Sequence, residues 1–300
     1  MSGSANHITG AAGFIGLGNI GAPMAERLLR HPGGLIVCDT RPEAVQPFID
    51  QGATPAATPA ELAEKATVIS VVVLNDAQVR TVLTGQQGIL STARPGTVVA
   101  VHSTISDRSA AELAAVCAER EVEFVDAPIS GGAAGAKQGS LAVMVGGSDT
   151  AFEKVRETFE YWAELVVHAG EAGAGTRMKL ARNLLHFVSF TATAEASRLA
   201  ESAGLNIVDL GKVVRHSDAI TGGAGAIMLR ETTAPVAEDE FWHPIFSHTR
   251  DLGEKDLALA LRLGEHLGVE LPFARMALAG LGIGLGVGPG EISEEFEEHP

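Results

Sequence analysis

Only two of the 300 residues are cysteines, Cys38 and Cys117. They form no CxxC pair and no metal-type spacing, which excludes a disulfide scaffold and favours a reducing cytoplasm. Basic residues are scarce, 22 against 37 acidic ones, for a formal charge of −15. So acidic a chain repels a phosphate backbone, which argues against general nucleic-acid binding. Long apolar runs are missing too. The longest, residues 276–287, is too short for a membrane span and is broken by glycines. The start, residues 1–7, is polar and does not read as a secretory signal. Ten histidines are scattered, with no HExxH-like spacing, so no metal is expected. There is a single tyrosine, Tyr161, and Leu165 stands four residues after it, so a Tyr-x-x-x-Lys pair is absent.

What is present is an ordinary globular balance, 46% hydrophobic and 20% charged. A chain of this length suits two domains, each able to bury a core. In the first half, strand-like and helix-like segments alternate. Strands are expected at 13–15, 35–38, 67–74, 97–101, 122–125, 141–145 and 165–168. Helices are expected at 23–30, 43–51, 61–65, 76–83, 109–120 and 150–162. Such alternation implies βαβ units and a mostly parallel sheet. After a glycine-rich break at 170–175, only helical patterns follow, at 177–203, 208–216, 251–267 and from 272 onward. The expected domains are therefore 1–171, an α/β unit, and 172–300, an all-helical one, ending in an acidic, frayed tail from 288.

Two glycine fingerprints overlap near the N-terminus. Residues 9–16 read TGAAGFIG and residues 16–21 read GLGNIG. Both motifs place backbone N–H groups and a helix start beneath a pyrophosphate. The first needs a strand before Thr9, which residues 4–8 supply poorly, and its dehydrogenases need the missing tyrosine–lysine pair. The second has residues 13–15 before it and a helix after it. Gly16, Gly18, Asn19, Ile20 and Gly21 are therefore taken as the phosphate loop. Asp39 lies 18 positions after Gly21, close to the usual spacing of about 20 for the acidic residue that receives the ribose hydroxyls. That favours NAD over NADP. Arg41 could instead pair with a 2′-phosphate, although a solvated surface charge is the more ordinary reading.

Residues 126–132 read DAPISGG, at the carboxyl end of an expected strand, where ligands bind in such sheets. Ser130 offers a hydroxyl, and Gly131 and Gly132 allow bare amides to approach an anion; an ordinary glycine turn is the competing reading. The helix from residue 177 is apolar nearly all round, so it should be buried. Lys179, Asn183 and His186 form one polar stripe on it. A buried lysine has a depressed pKa and suits proton transfer. A snorkelling lysine is the alternative, and a structural role suits His186 better.

With these residues in place, the sequence resembles the β-hydroxyacid dehydrogenases, the family of 3-hydroxyisobutyrate dehydrogenase and 6-phosphogluconate dehydrogenase. The resemblance covers about residues 13–285 and rests on GFIGLGNIGAPMA at 13–25, HSTIS at 102–106, DAPISGG, GAGTRMKLARN at 173–183 and EKDLALA at 254–260. It implies a Rossmann-type doubly wound sheet followed by an all-α domain, with the active site in the cleft between them. It implies Lys179 and Asn183 as catalytic residues. Ser130, Gly131, Gly132 and Lys255 would meet the substrate, a small 3-hydroxy acid or its semialdehyde. Leu74, Thr104 and Lys255 would join the phosphate loop and Asp39 around NAD, with NADP as the alternative. A homodimer or homotetramer through the helical domain is also implied.

The chain departs from the family pattern in two places. Val101 stands where many members carry an aspartate, and Arg182 stands where hydroxyisobutyrate enzymes carry an asparagine. Arg182 could reach the substrate or pair structurally with Glu195 or Glu254. The glycine series from Gly280 to Gly288 reads as a poor helix. His102, Trp242, His243 and His248 could line a cleft, though packing or surface roles suit them better. Two other readings remain: an imine reductase-like enzyme, and a dinucleotide-binding protein without catalysis. Lys179 argues against both.

Overall fold

The computed structural model describes residues 10–292, and the chain divides into two compact units, Met1–Arg182 and Asn183–Pro300. The expectations for residues 4–8 and for the end of the acidic tail, 293–300, lie outside the described residues.

In the first unit the strands are β1 (Ala11–Ile15), β2 (Leu35–Cys38), β3 (Thr54–Pro55), β4 (Ala66–Val71), β5 (Val98–Val101), β6 (Glu123–Asp126), β7 (Ile129–Ser130), β8 (Leu141–Gly146) and β9 (Ala163–Gly170). They form one sheet in the order β3-β2-β1-β4-β5-β6-β8-β7, with β9 also paired to β8. From β3 to β6 all pairings are parallel. β8 runs antiparallel to β6 and β7 and parallel to β9. Between the strands stand α1 (Gly21–Arg27), α2 (Pro42–Ile49), α3 (Pro59–Ala63), α4 (Asp76–Thr84), α5 (Asp107–Ala118), α6 (Gly132–Gln138) and α7 (Asp149–Phe159).

The central strands read as unbroken apolar runs because both faces are covered. Alternate residues feed two separate cores. Phe14, Val37, Val68 and Ala100 join one with Met24, Phe48 and Phe159. Ile15, Ile36, Ile69 and Val99 join the other with Leu62, Leu83 and Leu113. Side-chain caps start several helices: Thr58 for α3, Asn75 for α4, Ser106 for α5 and Ser148 for α7 each accept a backbone N–H of the first turn.

Several sequence expectations change here. The strand expected over 67–74 ends at Val71, because the Ser103 hydroxyl takes both backbone groups of Val73 out of the ladder. The DAPISGG segment is more than a glycine turn: β7 and α6 follow from it, with Gly131 at the helix cap. β3 carries no strand signal in the sequence, since it has only two residues, one of them proline.

The helix α8 (Ala174–Ser202) runs from the first unit into the second. Its expected burial is overturned: Leu184, Phe187 and Phe190 are more than half exposed. Its apolar surface exceeds what the single chain covers. The second unit continues with α9 (Ile207–Thr221), α10 (His243–Leu267) and α11 (Pro272–Leu285). Both α9 and α10 are longer than the sequence patterns suggested. Gly280, Gly282 and Gly284 lie within α11, and Gly286 of the same series ends it as a left-handed cap. A Cβ on Gly282 would stand 1.9 Å from the Gly288 carbonyl, so this glycine lets the returning chain cross the helix. Glu195 accepts the Phe273 and Ala274 amides at the start of α11, and Glu254 accepts the Gly290 amide. Both carboxylates proposed as Arg182 partners are thus engaged with backbone. Trp242 packs on Phe241 and Phe246, a packing role.

His102 is fully enclosed in the first unit, edge-on to Phe159 and Trp162. Its Nδ1 donates to the Ala127 carbonyl at 2.7 Å, which leaves Nε2 to accept from Ser70 Oγ at 3.1 Å. It is a packed histidine tying β4, β5 and the end of β6 together. Burial pushes its imidazole from the usual 6.5 down to about 4. The folded state therefore holds His102 neutral where the unfolded chain would protonate it. Stability from this residue is complete above about pH 6.5 and is lost as pH falls towards 4. The loss is on the order of 3 kcal/mol. Urea midpoints of wild type and His102→Gln measured from pH 7.5 to 4.5 should converge as pH falls; parallel curves would show that His102 is not the group responsible.

Candidate functional site

The loop after β1 is built on close backbone approaches. Gly16 adopts φ +96°, and a Cβ there would stand 2.0 Å from the Val72 carbonyl. A Cβ on Gly21 would stand 2.0 Å from the Gly16 carbonyl. Gly18 differs, with nothing within 4 Å of that position, so its backbone is open to a ligand. Asn19 is exposed, and Ile20 is the half-buried cap of α1. The loop and helix start thus fit a diphosphate.

Asp39 lies just past β2. Its Oδ2 accepts the Leu17 amide at 2.6 Å, which ties the acidic residue to the phosphate loop. Arg41 is not merely a solvated charge: its Nε donates to Asp39 Oδ1 at 3.0 Å and its Nη2 to the Leu17 carbonyl at 3.1 Å. Burial disfavours the Asp39 carboxylate, but Arg41 and the two amides outweigh it and hold the group below its usual range. The acidic residue is charged and oriented at neutral pH. Leu74 is 87% exposed and Thr104 is exposed. Each lies one residue beyond the link between Val73 and Ser103, which ties their two loops together.

At the end of β6, each residue from Asp126 to Ile129 is held by a different partner. Asp126 is fully buried, and its carboxylate accepts the Gly173 and Thr176 amides, each at 2.6 Å. The Ala127 carbonyl accepts from His102, and the Pro128 carbonyl accepts the Met144 amide at 3.0 Å. The Ile129 carbonyl accepts from Lys179 Nζ at 2.6 Å. Ser130 is half-buried, while Gly131 and Gly132 are exposed with φ +127° and +63°. Left-handed backbone at both positions needs glycine and turns the chain into α6.

Lys179 is 9% exposed, so the snorkelling alternative does not hold. Burial, and after it the charge of Arg182, lower its pKa from the ordinary lysine value. Arg182 is itself exposed, one turn on. The ring of His186 lies against Phe187 and Phe190, in keeping with a packing role. The structure thus gathers Ser130, the two glycines and Lys179 around one strand end. In the second unit, Asn183 is half-buried, and Lys255 is exposed and paired with Asp256 at 3.2 Å. Among the described residues, no group of three or more His, Cys, Asp or Glu could hold a metal ion. No described helix is long and apolar enough to cross a membrane.

Sequence reasoning assigned no role to Leu17, Ser103 or the Asp126 side chain. An acidic residue closing a buried strand was the available signal for Asp126. Leu17 and Ser103 act through backbone partners that no motif displays.

Comparison with known proteins shows the family. Residues 11–170 match the family described as the NAD binding domain of 6-phosphogluconate dehydrogenase. Residues 173–281 match that described as the NAD-binding domain of NADP-dependent 3-hydroxyisobutyrate dehydrogenase. An uncharacterized oxidoreductase of Mycobacterium tuberculosis H37Rv is 58% identical over 275 residues, 90% of this chain and 93% of that one. The 2-(hydroxymethyl)glutarate dehydrogenase of Eubacterium barkeri is 33% identical over 265 residues, 88% of this chain and 86% of that one. The crystal structure of an oxidoreductase from Mycobacterium avium 104 superposes with a TM-score of 0.88 at 53% identity, covering 93% of this chain and 99% of that one. With a strand-end glycine loop, NAD-binding domains and relatives of this kind, the chain belongs to the β-hydroxyacid dehydrogenases, the NAD(P)-dependent oxidoreductase family of 3-hydroxyisobutyrate dehydrogenase and 6-phosphogluconate dehydrogenase.

Proposed function

We propose that the protein interconverts a small 3-hydroxy acid and its semialdehyde, with Lys179 as general acid and base and NAD as the preferred cofactor. The observation that carries this reading is Lys179 itself, buried on α8 and donating to the Ile129 carbonyl of β7. When bound, the nicotinamide accepts or returns the carbinol hydride. The remaining work falls to the chain. In the oxidation direction neutral Lys179 takes the hydroxyl proton, and in reduction the ammonium gives it back. Burial makes the neutral form accessible. Ser130 and the amides after it hold the substrate carboxylate, and Asn183, one turn after Lys179, orients the reacting group. The glycine backbone at Gly16–Gly21 receives the diphosphate, and Asp39 receives the adenosine ribose hydroxyls and repels a 2′-phosphate.

Self-association through the helical part is included in this reading. α9 has no buried residue, and Val208, Val213 and Ile220 on it are exposed together with the apolar side chains of α8. A second copy of the chain would cover such a surface.

Lys179→Met should lower kcat by about 10² to 10⁴-fold while leaving NAD affinity nearly unchanged. Absorbance at 340 nm over a panel of hydroxy acids, with cofactor titrations alongside, measures both. Activity within a few-fold of wild type would rule out the lysine mechanism. Tight dinucleotide binding by wild type without turnover of any acid would favour a non-catalytic binding protein.

Asp39→Ala should weaken NAD and relax discrimination against NADP, since it removes an attraction and a repulsion together. It also releases Arg41. A wild-type preference for NADP would instead make Arg41 the reader of the 2′-phosphate.

Arg182→Asn addresses the substrate. Arg182 lies close enough for its charge to reach Lys179. In the proposed reading it pairs with a second anionic or polar substrate group. The variant should therefore lose kcat/KM for the native substrate and gain, relative to it, for small monocarboxylic hydroxy acids. Equal loss on every substrate together with a lower Tm would assign Arg182 a structural role.

A further inference from the structure

Asp126 has no part in the chemistry above, yet it is a carboxylate with no exposed surface. Taking an ionised carboxylate out of water is costly unless strong donors replace the solvent. Here the donors are backbone amides at the start of α8, the Gly173 N–H before its first residue and the Thr176 N–H in its first turn. A helix N-terminus presents unpaired N–H groups and the positive end of its dipole, so it is a suitable partner for a buried anion. Burial raises the Asp126 pKa, and the two amides oppose that rise.

The contact is tight. A Cβ on Gly146, across the pair from Asp126, would stand 2.4 Å from Asp126 Oδ1 and 2.7 Å from the Gly175 amide nitrogen. A Cβ on Gly175 would stand 2.3 Å from the Met144 carbonyl and 2.5 Å from that of Asp126. Gly173 takes φ +92°. Bare backbone on both sides lets the helix start press directly on β6 and β8. Lys179 stands one turn after Thr176 on the same helix and reaches Ile129, three residues after Asp126.

The geometry points to Asp126 as the positioning residue for Lys179: its carboxylate fixes the origin of α8, and through it the place of Nζ beside the Ile129 carbonyl. This inference rests on the reading of Lys179 as the proton-transfer group. It acts by position rather than by charge, and the two have opposite signs. The neighbouring charge that acts on Lys179 is that of Arg182. A freed helix start would let Lys179 become better solvated, and its pKa would rise. Were Asp126 instead a stabilising negative charge on the lysine, its loss would lower that pKa.

The test uses the full-length protein and Asp126→Asn, which keeps one acceptor and sets an NH₂ against the other amide. The expected result is a fall of about 10- to 100-fold in kcat, on the scale of a misplacement near 1 Å, with KM for NAD within a few-fold of wild type. The limb of the oxidation pH profile that reports the lysine should move to higher pH. Gly146→Ala, which wedges the same contact without touching a charge, should give the same shift if Asp126→Asn fails to fold. Thr58→Ala, removing the remote cap of α3, should lower Tm and leave the pH profile in place. An unmoved profile in a folded Asp126→Asn, or one shifted to lower pH, would overturn the inference. If Lys179→Met is inactive while Asp126→Asn behaves as wild type, the lysine reading stands and this one falls. If Lys179→Met is active, the lysine reading has failed by itself.

Discussion

A buried carboxylate held by the first amides of a long helix is the constraint around which the first unit is arranged. Asp126 ends β6, and Gly173, just before α8, follows 47 residues later, yet its amide lies 2.6 Å from Asp126 Oδ1. The helix start cannot move without stranding a charge in a dry interior, and a stranded charge costs far more than an ordinary lost hydrogen bond. Everything near the contact is shaped by it. Residues 146 and 175 are glycines because a Cβ would collide with the contact, and residue 173 is one because its backbone is left-handed. The segment from Asp126 to Ile129 is fixed at every residue, by α8, His102, Met144 and Lys179. The loop proposed to hold the substrate carboxylate, with its lead-in so constrained, needs little further ordering when a ligand arrives.

Much of this could be read from the sequence, for identifiable reasons. Parallel strands covered on both faces are continuous apolar runs, so residues 35–38 and 98–101 announced themselves. The glycine loop was legible because its glycines fall in one short run between a strand and a helix, although the carbonyl that demands a glycine at 16 is that of Val72, beyond β4. Lys179 stood out as a charge on an apolar helix. Less legible were features whose cause lies far along the chain. The partners of Asp126 are 47 and 50 residues away, and no local pattern reveals them. The strand β7 is two residues long and exists because β8 runs back beside it. The apolar character of α8 was plain, but composition does not say whether a surface is covered within one chain. Arg41 lay within sight of Asp39, two residues away, and only the structure shows its guanidinium folded back on that carboxylate and on the phosphate loop.

The second unit repeats the same device. Glu195 and Glu254 are almost wholly buried, and the partners of both include main-chain amides, those of Phe273 and Ala274 and that of Gly290. Arg250, one turn before Glu254, donates to the Val287 and Gly288 carbonyls of the same returning segment. Charged side chains on α10 thus collect both kinds of backbone group from a stretch that lies outside regular structure and cannot pair with itself. That explains how a glycine-rich end, poor in intrinsic helix propensity, nevertheless continues as α11 and then packs back across it. Tertiary hydrogen bonds and the small size of Gly282 outweigh the unfavourable propensity.

The choice of a carbonyl as the Lys179 partner bears on the proton-transfer role proposed for it. A carboxylate beside a lysine stabilises the ammonium and holds its pKa high, so the group would rarely give up its proton. A peptide carbonyl makes a weaker demand. It accepts a hydrogen bond from an ammonium, and a weaker one from a neutral amine, which still carries N–H donors. The position of Nζ is thereby fixed while its charge is left free to change. Burial and the nearby guanidinium of Arg182 then lower the cost of the neutral form. A reversible hydride transfer needs a group that takes a proton in one direction and returns it in the other from the same place. Holding the lysine by the Ile129 carbonyl rather than by a carboxylate, on a helix whose start is tied to Asp126, suits the role proposed for it.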